Sequence, residues 1–374
     1  MSSLLDVTTP RVLIDRRRLR SNIVAMQALA KDAGVRLRPH SKTHKSPVIA
    51  RWQIEAGAVG VCCAKLGEAE VMADAGIQDI RLPYPVHPTN APRVLALLQK
   101  TRLSIIVDNL EVANGWSAAM AAAGATLDIL VKVDVGFHRC GIDPDAASAL
   151  ETLKQISALP GLRFRGLLSH AGQAYLAQSA QEIRDIAQTE QSILITLAGG
   201  LRDAGVDVPE ISVGSTPTAR QIRSQRGITE MRPGNYVFFD RTQVGLGAAS
   251  LDDCAMSVLA MVVSRPSPTR VVFDAGSKML STDGVRGFGA STGHGIVFSD
   301  LIAPVEDAAI AIERLSEEHA VARVPADHAL RVGDRVRIVP NHACVVMNLA
   351  NTVLLTDGPD VVEELAVAAR GRCQ

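Results

Sequence analysis

Short apolar runs alternate with amphipathic segments along the chain up to about residue 240. The runs have the length of strands, and the segments carry apolar residues at the three- and four-residue spacing of helices. The predicted strands are Val35–Arg38, Val59–Cys62, Ile80–Pro83, Leu103–Val107, Leu127–Val135, Phe164–Ser169, Glu210–Val213 and Thr229–Arg232. The predicted helices include Arg16–Lys31, Ser46–Ala56, Leu66–Ala75, Pro92–Gln99, Leu110–Ala123, Ala146–Leu159 and Ala177–Ala204. Eight strands separated by helices indicate an α/β fold with a parallel sheet, and their number favours a closed (β/α)8 TIM barrel over a doubly wound sheet.

After about Asp240 the pattern changes to β-rich runs that are broken by Gly, Pro and Asp. These runs are Ser257–Val263, Arg270–Phe273, Arg335–Val339 and Asn351–Leu355. They indicate a second, mainly β domain. One more short strand, Thr9–Asp15, precedes the barrel repeat. We therefore expect a barrel over residues 16–245 and a β-rich domain over residues 246–374.

Composition and charge narrow the class of protein. Hydrophobic residues make up 47% and charged residues 21% of the 374 positions, as in a globular chain with a sizeable core. The 39 basic side chains balance the 39 acidic ones, so the charge predicts a small-molecule partner rather than nucleic acid or an anionic membrane. The N-terminus lacks signal-peptide features and no apolar run reaches the roughly 18 residues of a membrane span, so we expect a cytoplasmic protein. Six scattered cysteines predict thiols rather than a disulfide framework.

The segment Arg38-Pro39-His40-Ser41-Lys42-Thr43 follows the first strand of the predicted barrel. Pro39 disfavours helical geometry at the preceding residue and fixes its own φ, so the strand ends here and delivers His40 and Lys42. In a (β/α)8 barrel the carboxyl ends of the strands carry the chemistry. Lys42 is therefore a candidate nucleophile, and a solvated lysine before a helix is the alternative interpretation.

Further candidates follow later strands in the same way. They are Arg139, His170, Tyr175, Ser215, Thr216, Arg232, Gly234 and Asn235. The turn around Ser215 and Thr216 has the Gly/Ser/Thr composition of a loop that holds a phosphate at the start of a helix. A structural arginine, a hydrogen-bonded histidine and an ordinary loop are the alternatives for these positions.

A possible metal site follows the predicted strand Arg335–Val339, in the segment Pro340-Asn341-His342-Ala343-Cys344. On an extended segment His342 and Cys344 would share one face, so the pair could hold a metal ion. Two ligands are too few for a structural zinc, so water and substrate would complete the shell. A buried cysteine beside a hydrogen-bonded histidine is the alternative.

These motifs together resemble one enzyme family. Arg38-Pro39-His40-x-Lys42-Thr43 and Pro340-Asn341-His342-x-Cys344 resemble the D-threonine aldolase and D-serine dehydratase family, whose barrel is similar to the N-terminal domain of alanine racemase. The resemblance implies that residues 1–15 join the β-rich domain. It also implies that Lys42 covalently holds pyridoxal 5'-phosphate and that Lys42 and His170 are the catalytic residues. The implied cofactor-binding residues are Lys42, His40, Arg139, His170, Tyr175, Ser215, Thr216, Arg232, Gly234 and Asn235.

Several of these residues have specific implied roles. Arg139 would lie near the phenolic oxygen of the cofactor, and His170 would stack on its pyridine ring. The phosphate would be held by Ser215, Thr216, Gly234 and Asn235, with Tyr175 near the phosphate or the substrate. Arg232 would face the pyridine nitrogen, and because arginine does not give up its proton, that nitrogen would stay unprotonated. Chemistry would then depend on departure of a β-substituent.

The implied function is that of a pyridoxal-phosphate- and metal-dependent lyase. It would eliminate water from a D-β-hydroxy amino acid, such as D-serine or D-threo-3-hydroxyaspartate, to give a keto acid and ammonia. Retro-aldol cleavage to glycine and an aldehyde is the alternative, and a non-catalytic pyridoxal-phosphate-binding protein is a third interpretation. The pair of His342 and Cys344 resembles a dehydratase zinc site, whereas the aldolases usually have His-x-Asp, which suits Mn2+ or Mg2+. The family also implies a homodimer.

Two positions depart from the family pattern. Leu168 stands where some D-serine dehydratases have tyrosine, and Ala320 follows Glu318-His319 where a glycine is common. The second departure affects the expected direction of His319.

Overall fold

The computed structural model describes residues 2–224, 227–289, 293–301, 306–308 and 310–374. The chain divides into two compact units. The barrel unit comprises Ala25–Lys42, Ser46–Gly234 and Gly371–Gln374, and the β-rich unit comprises the described parts of Met1–Val24, Thr43–Lys45 and Asn235–Arg370. The predicted boundary at residues 245 and 246 stays a prediction.

Eight parallel strands form the sheet of the barrel unit. In chain order they are Arg36–Leu37, Val61–Cys62, Asp79–Pro85, Arg102–Val107, Leu127–Lys132, Leu162–Leu168, Glu210–Val213 and Glu230–Met231. The last strand pairs in parallel with the first, with Met231 opposite Leu37. A parallel bridge between His40 and Cys62 joins the first strand to the second, and Cys62 N–H donates to Pro39 O at 2.8 Å. The sheet therefore closes on itself, and the predicted (β/α)8 barrel is confirmed.

Helices follow the strands as the periodicity predicted. They are Arg16–Asp32, Pro47–Glu55, Leu66–Asp74, Ala91–Leu98, Leu110–Ala122, Ala149–Ser157 and Ala180–Asp203. Local sequence explains where several of them begin. Ser179 accepts from the N–H of Glu182 at 3.1 Å, which caps the helix Ala180–Asp203, and Asn109 caps Leu110–Ala122 in the same way.

The β-rich unit contains the remaining strands. These are Ser2–Ser3, Arg11–Asp15, Met256–Ser267, Arg270–Phe273, Ile296–Phe298, Ala311–Leu315, Ala320–Arg323, Arg335–Val339, Thr352–Asp357 and Asp360–Ala366. The helices of this unit are Arg241–Gly245, Ser277–Leu280 and Ala343–Leu349. Arg11–Asp15 pairs antiparallel with Met256–Ser267 and parallel with Thr352–Asp357. The N-terminal strand is thus part of this sheet.

The barrel strands bury a charged network as well as apolar side chains. Arg81 donates to both Glu210 and Glu230, and Arg38 Nε donates to Glu230 Oε2 at 2.9 Å. Burial opposes the charge of Glu230, but Arg81 and Arg38 outweigh burial and hold its pKa well below the ordinary value. Removing one partner of a buried ion pair typically costs about 3–5 kcal/mol. Among the helices of the described ranges, none is long and apolar enough to cross a membrane.

Candidate active site

Lys42 lies in a 3₁₀ helix, Ser41–Thr43, shortly after the first barrel strand. The Ser41 hydroxyl donates to Cys62 O at 2.7 Å, which fixes the turn to the end of the neighbouring strand. The Lys42 N–H donates to Nδ1 of His40 at 3.3 Å, and the Lys42 side chain is exposed. The turn therefore presents Lys42 at the carboxyl end of a barrel strand.

His170 follows the strand Leu162–Leu168 and contacts the end of the next strand, because its Nδ1 lies 3.1 Å from Gly214 O. A carbonyl oxygen only accepts, so Nδ1 carries the proton and Nε2 keeps its lone pair. Burial and the positive charges of Lys42 and Lys132 lower the pKa of His170 well below its ordinary value. The ring is therefore neutral near pH 7.

Arg139 belongs to a loop rather than to a strand end. The strand predicted as Leu127–Val135 ends at Lys132, and Asp134 then accepts the backbone N–H groups of Gly136 and His138 at 3.0 Å each. Arg139 is exposed, and its guanidinium carbon lies 5.2 Å from the ring centroid of Phe137, a cation–π distance. The same ring contacts His170 edge to face at 5.9 Å. Phe137 thus connects the two predicted cofactor residues.

The predicted phosphate turn follows the strand Glu210–Val213. Gly214 has a φ of +120°, and a Cβ there would lie 3.3 Å from Arg232 N, so glycine is required for the bend. Ser215 and Thr216 are buried. Thr218 Oγ1 accepts the Ser215 N–H at 3.2 Å and lies 3.0 Å from Ser215 Oγ. A single 3₁₀ turn, Ala219–Gln221, follows this loop.

Arg232 is a buried cation, only 5% exposed. Its Nε donates to Ser212 Oγ at 2.7 Å, and a terminal nitrogen donates to Ser169 O. The Ser212 hydroxyl in turn donates to Glu230 Oε1 at 2.6 Å. Burial lowers the pKa of Arg232, and nearby negative groups, including Glu230, oppose that shift. The guanidinium is therefore held in one place by two strand ends.

Asn235 has surroundings that the motifs did not predict. Asn235 Nδ2 donates to Asp240 Oδ2 at 2.5 Å and lies 3.6 Å from Cys344 Sγ, so this side chain belongs to the surroundings of the possible metal ligands. Gly234 lies in the loop before it, after the strand Glu230–Met231. Tyr175 is partly buried in the 3₁₀ helix Gly172–Leu176.

The prediction that His342 and Cys344 lie on one face of an extended segment is wrong. The strand Arg335–Val339 ends before Pro340, and a helix begins at Ala343. His342 is the residue before that helix, with extended backbone, and Cys344 is its second residue. Asp240 causes this change of direction, because its Oδ2 accepts the Ala343 N–H at 2.9 Å.

The two side chains nevertheless contact each other. Burial disfavours the imidazolium, but a hydrogen bond to the Cys344 sulfur and its charge outweigh burial and raise the pKa of His342 to about 10. Burial likewise opposes the thiolate, yet His342 lowers the pKa of Cys344 below its ordinary value. His342 Nδ1 also lies 2.6 Å from Asp283 Oδ2, and Cys344 Sγ lies 3.3 Å from Thr43 Oγ1. The Asp283 carboxylate therefore orients the imidazole of His342.

Residues 318–320 make contacts within the β-rich unit. Glu318 Oε1 accepts from Lys278 Nζ at 2.7 Å. His319 is exposed, and its carbonyl accepts the Ser316 N–H at 2.9 Å. Ala320 is fully buried and opposite Phe273 in the sheet. The methyl group of Ala320 thus serves the core of the β-rich unit.

The donor set of the barrel unit fits pyridoxal phosphate. Lys42 supplies an amine for the aldehyde, Arg139 and Arg232 supply cations, and the turn at Ser215 supplies hydroxyl groups. Gly214, with its φ of +120°, gives this turn a backbone conformation that other residues rarely adopt. The positive surroundings of His170 suit an anionic cofactor.

The donor set of the β-rich unit fits a transition metal held by two protein ligands. A thiolate and an imidazole are soft and borderline donors, a set that suits zinc. Within the described ranges, no group of three or more His, Cys, Asp and Glu side chains is arranged to hold a metal ion. A metal here would keep open positions for water or substrate.

Three buried or aromatic residues of the barrel unit were missed by sequence reasoning. They are Phe137, Lys132 and Glu190. Lys132 is 3% exposed, and burial together with the charge of Arg232 lowers its pKa to about 7. Its position at the end of a predicted strand was a usable signal. For Glu190, the signal was a carboxylate on the apolar face of a helix.

Comparison with known proteins identifies the family of both parts of the chain. The family model described as alanine racemase, N-terminal domain, matches residues 14–242, and the putative serine dehydratase domain matches residues 255–356. D-threonine aldolase of an Arthrobacter species is 35% identical over 98% of this chain and 94% of its own length. D-threo-3-hydroxyaspartate dehydratase of a Delftia species, strain HT23, is 35% identical over 91% of this chain and 92% of its own.

A solved structure shows the same fold along nearly the whole chain. It is a D-threo-3-hydroxyaspartate dehydratase in which one cysteine is replaced by alanine, described as the metal-free form. The TM-score is 0.91 and the sequence identity 31%, with 98% of this chain and 99% of that chain covered. Barrel, second domain and motifs define a class of alanine-racemase-like enzymes. The chain belongs to the D-threonine aldolase and D-serine dehydratase family.

Proposed function

We propose that this protein is a pyridoxal-phosphate- and metal-dependent lyase that eliminates water from a D-β-hydroxy amino acid. The family supports lyase chemistry on D-hydroxy amino acids, since its relatives include the aldolase and the dehydratase named above. The residues support the elimination. When bound, the cofactor supplies an aldehyde for the substrate amine and an electron-withdrawing ring for the adjacent carbon.

Lys42 would hold the cofactor and, once displaced by the substrate amine, remove the proton from Cα. Its exposed position on a rigid turn at a strand end supports this role. His170, neutral and with its Nε2 lone pair available, would contact the ring and can accept a proton. Arg139 and Phe137 would form one wall beside it.

Arg232 favours elimination over reactions that store charge on the cofactor ring. A guanidinium keeps its proton, so it leaves a facing pyridine nitrogen unprotonated and the ring a weaker electron acceptor. Its contacts with Ser212 and Ser169 would hold it in that orientation. When the β-hydroxyl leaves, the electron pair of the Cα–H bond can instead form a double bond between Cα and Cβ.

The pair of His342 and Cys344 would hold zinc, which would supply a Lewis acid for the β-hydroxyl. The placement of both donors at the start of one helix, with His342 Nδ1 2.6 Å from Asp283 Oδ2, is the observation that carries the proposal. In the net reaction, Cα loses a proton and Cβ loses hydroxide, which together form one water molecule. The unsaturated amino acid then hydrolyses to a keto acid and ammonia.

Product analysis tests this proposal. The protein loaded with pyridoxal phosphate and zinc is incubated with D-serine, D-threonine and D-threo-3-hydroxyaspartate, and ammonia, glycine and aldehyde are measured. We expect ammonia and keto acid in equal amounts, and we expect a chelator to remove the activity and zinc to restore it best. Glycine with an aldehyde would establish the retro-aldol alternative, since the chain is 35% identical to a D-threonine aldolase as well as to a dehydratase. No turnover of any D-amino acid would leave a non-catalytic cofactor-binding protein.

We also propose a cytoplasmic homodimer. The family resemblance supports this assignment. Light scattering of the purified protein measures the subunit number, and a monomeric mass would contradict it.

A further inference from the structure

Glu190 is a buried carboxylate that the proposed reaction does not use. It lies on the long helix Ala180–Asp203 and is 1% exposed. Its buried neighbours on that helix include Ile183, Ala187 and Leu194. A carboxylate in such surroundings is costly unless it has hydrogen-bond partners.

Its partners are the ends of two adjacent barrel strands. Glu190 Oε1 accepts from the Ser169 hydroxyl at 2.6 Å and from the Gly214 N–H at 3.2 Å. Ser169 directly precedes His170, and Gly214 directly precedes Ser215. One oxygen atom therefore links the residues that carry a proposed catalytic side chain and the proposed phosphate turn.

Gly214 also connects Glu190 to the His170 ring through its two backbone groups. Its N–H is bound to Glu190, and its carbonyl oxygen lies 3.1 Å from His170 Nδ1. Because this carbonyl determines which ring nitrogen of His170 carries the proton, a shift of Gly214 would change both the ring orientation and the tautomer. The charge of Glu190 also favours the cationic forms of Lys132 and Arg232.

We infer that Glu190 is a positioning residue, which sets the ends of these two strands and thereby the His170 ring and the Ser215 turn. The inference rests on the proposed function, because His170 and Ser215 matter only if a cofactor binds there. Glu190 would thus affect cofactor binding indirectly, through its hydrogen bonds to Ser169 and Gly214.

Both hydrogen bonds are accepted by Glu190 Oε1, so substitutions at position 190 can keep or remove this acceptor. Glu190→Gln keeps a carbonyl oxygen that can accept both bonds but removes the charge. Glu190→Ala removes oxygen and charge, and Ser169→Ala removes only the hydroxyl partner. Leu194→Ala is the matched control, because it deletes buried volume one turn along the same helix without removing a hydrogen bond.

The measurement is the affinity of each apoprotein for pyridoxal phosphate, with the visible absorbance spectrum of the complex. We expect Glu190→Ala to weaken binding about tenfold or more and to shift the absorbance, with a smaller loss for Ser169→Ala. Glu190→Gln should keep most of the wild-type affinity for pyridoxal phosphate. Leu194→Ala should lower the unfolding temperature without changing either quantity. Circular dichroism establishes which variants fold, and if Glu190→Ala does not, Ser169→Ala and Glu190→Gln carry the test.

Two outcomes would overturn the inference. One is wild-type affinity and spectrum in both Glu190→Ala and Ser169→Ala. The other is an equal loss in Leu194→Ala, which would reduce Glu190 to a general contribution to stability. Wild-type protein that binds no pyridoxal phosphate would instead refute the proposed function, so the two failures are distinguishable.

Discussion

The barrel unit and the β-rich unit each surround a histidine with charge, and the two histidines respond in opposite directions. In the barrel unit, burial and the positive charge of Lys42, joined by that of Lys132 when it is protonated, lower the pKa of His170 and keep the ring neutral. In the β-rich unit, the Cys344 sulfur and Asp283 raise the pKa of His342 to about 10 despite burial. The surroundings, rather than the residue type, thus make one histidine a neutral acceptor and the other a partner for thiolate.

This contrast matches the chemistry proposed for each unit. A neutral ring among cations suits an anionic organic cofactor. A thiolate and an imidazole with an orienting carboxylate suit a divalent metal ion, because the metal replaces the shared proton.

The largest effect is expected from Lys42→Ala. Loss of the amine should abolish the visible absorbance of the bound cofactor and lower turnover by at least about 1,000-fold. Absorbance spectra and steady-state kinetics measure both. Lys31→Ala, an exposed lysine at the end of a helix, is the control and should behave as wild type. A Lys42→Ala protein that kept the absorbance band would remove Lys42 from its role.

Changing the thiolate should alter the metal preference. Cys344→Asp replaces a soft ligand by a hard one, so activity after metal removal should be restored better by Mn2+ than by Zn2+. Metal titration of the chelator-treated protein, followed by activity and by direct metal analysis, checks this. Cys373→Asp is the control at an exposed cysteine. An unchanged order of metals would show that Cys344 is not a ligand.

Removal of the orienting carboxylate should have a smaller effect on the metal. Asp283→Ala frees His342 Nδ1, and loss of such a partner typically weakens metal affinity about 10- to 100-fold. Competition with a coloured zinc chelator measures the affinity directly. Asp252→Ala, at a largely exposed aspartate, should leave it unchanged. Equal zinc affinity in both variants would mean that Asp283 does not orient the ligand.

The smallest effect concerns stability and involves Lys132. Burial and Arg232 lower its pKa from 10.5 to about 7, so between these pH values the unfolded chain binds a proton here that the folded chain does not. The free energy of unfolding should therefore rise with pH across this window. Lys132→Met should flatten the rise in urea unfolding of the apoprotein, and Lys31→Met should not. Identical slopes in all three proteins would show that the lysine is not buried as a neutral amine.

Much of the fold could be predicted because local sequence controls it. The strand Glu210–Val213 has the bounds that its pattern predicted, and the first barrel strand, Arg36–Leu37, lies within the predicted Val35–Arg38. The end of the strand Leu127–Lys132 was not predicted, because the loop after it is stabilised by Asp134, which accepts the N–H groups of Gly136 and His138. The helix at Ala343 was missed because its N–H partner, Asp240, is distant in sequence.

The chemistry of the site was predictable only where a motif carried it. Lys42, His342 and Cys344 stand in short recognisable segments. Glu190 does not, because its role depends on contacts with residues 21 and 24 positions away. Phe137 likewise depends on Gly172, where a Cβ would lie 2.6 Å from the ring. Such contacts follow from the closed barrel and are invisible in any local pattern.

The most direct test is to locate the cofactor on the chain. The purified holoenzyme is reduced with borohydride, digested, and analysed by mass spectrometry for a pyridoxyl group on lysine. We predict the modification on Lys42, in a single peptide and at close to one group per chain. Modification of Lys132 or Lys45 instead, or of no lysine at all, would contradict the assignment on which the proposed chemistry depends.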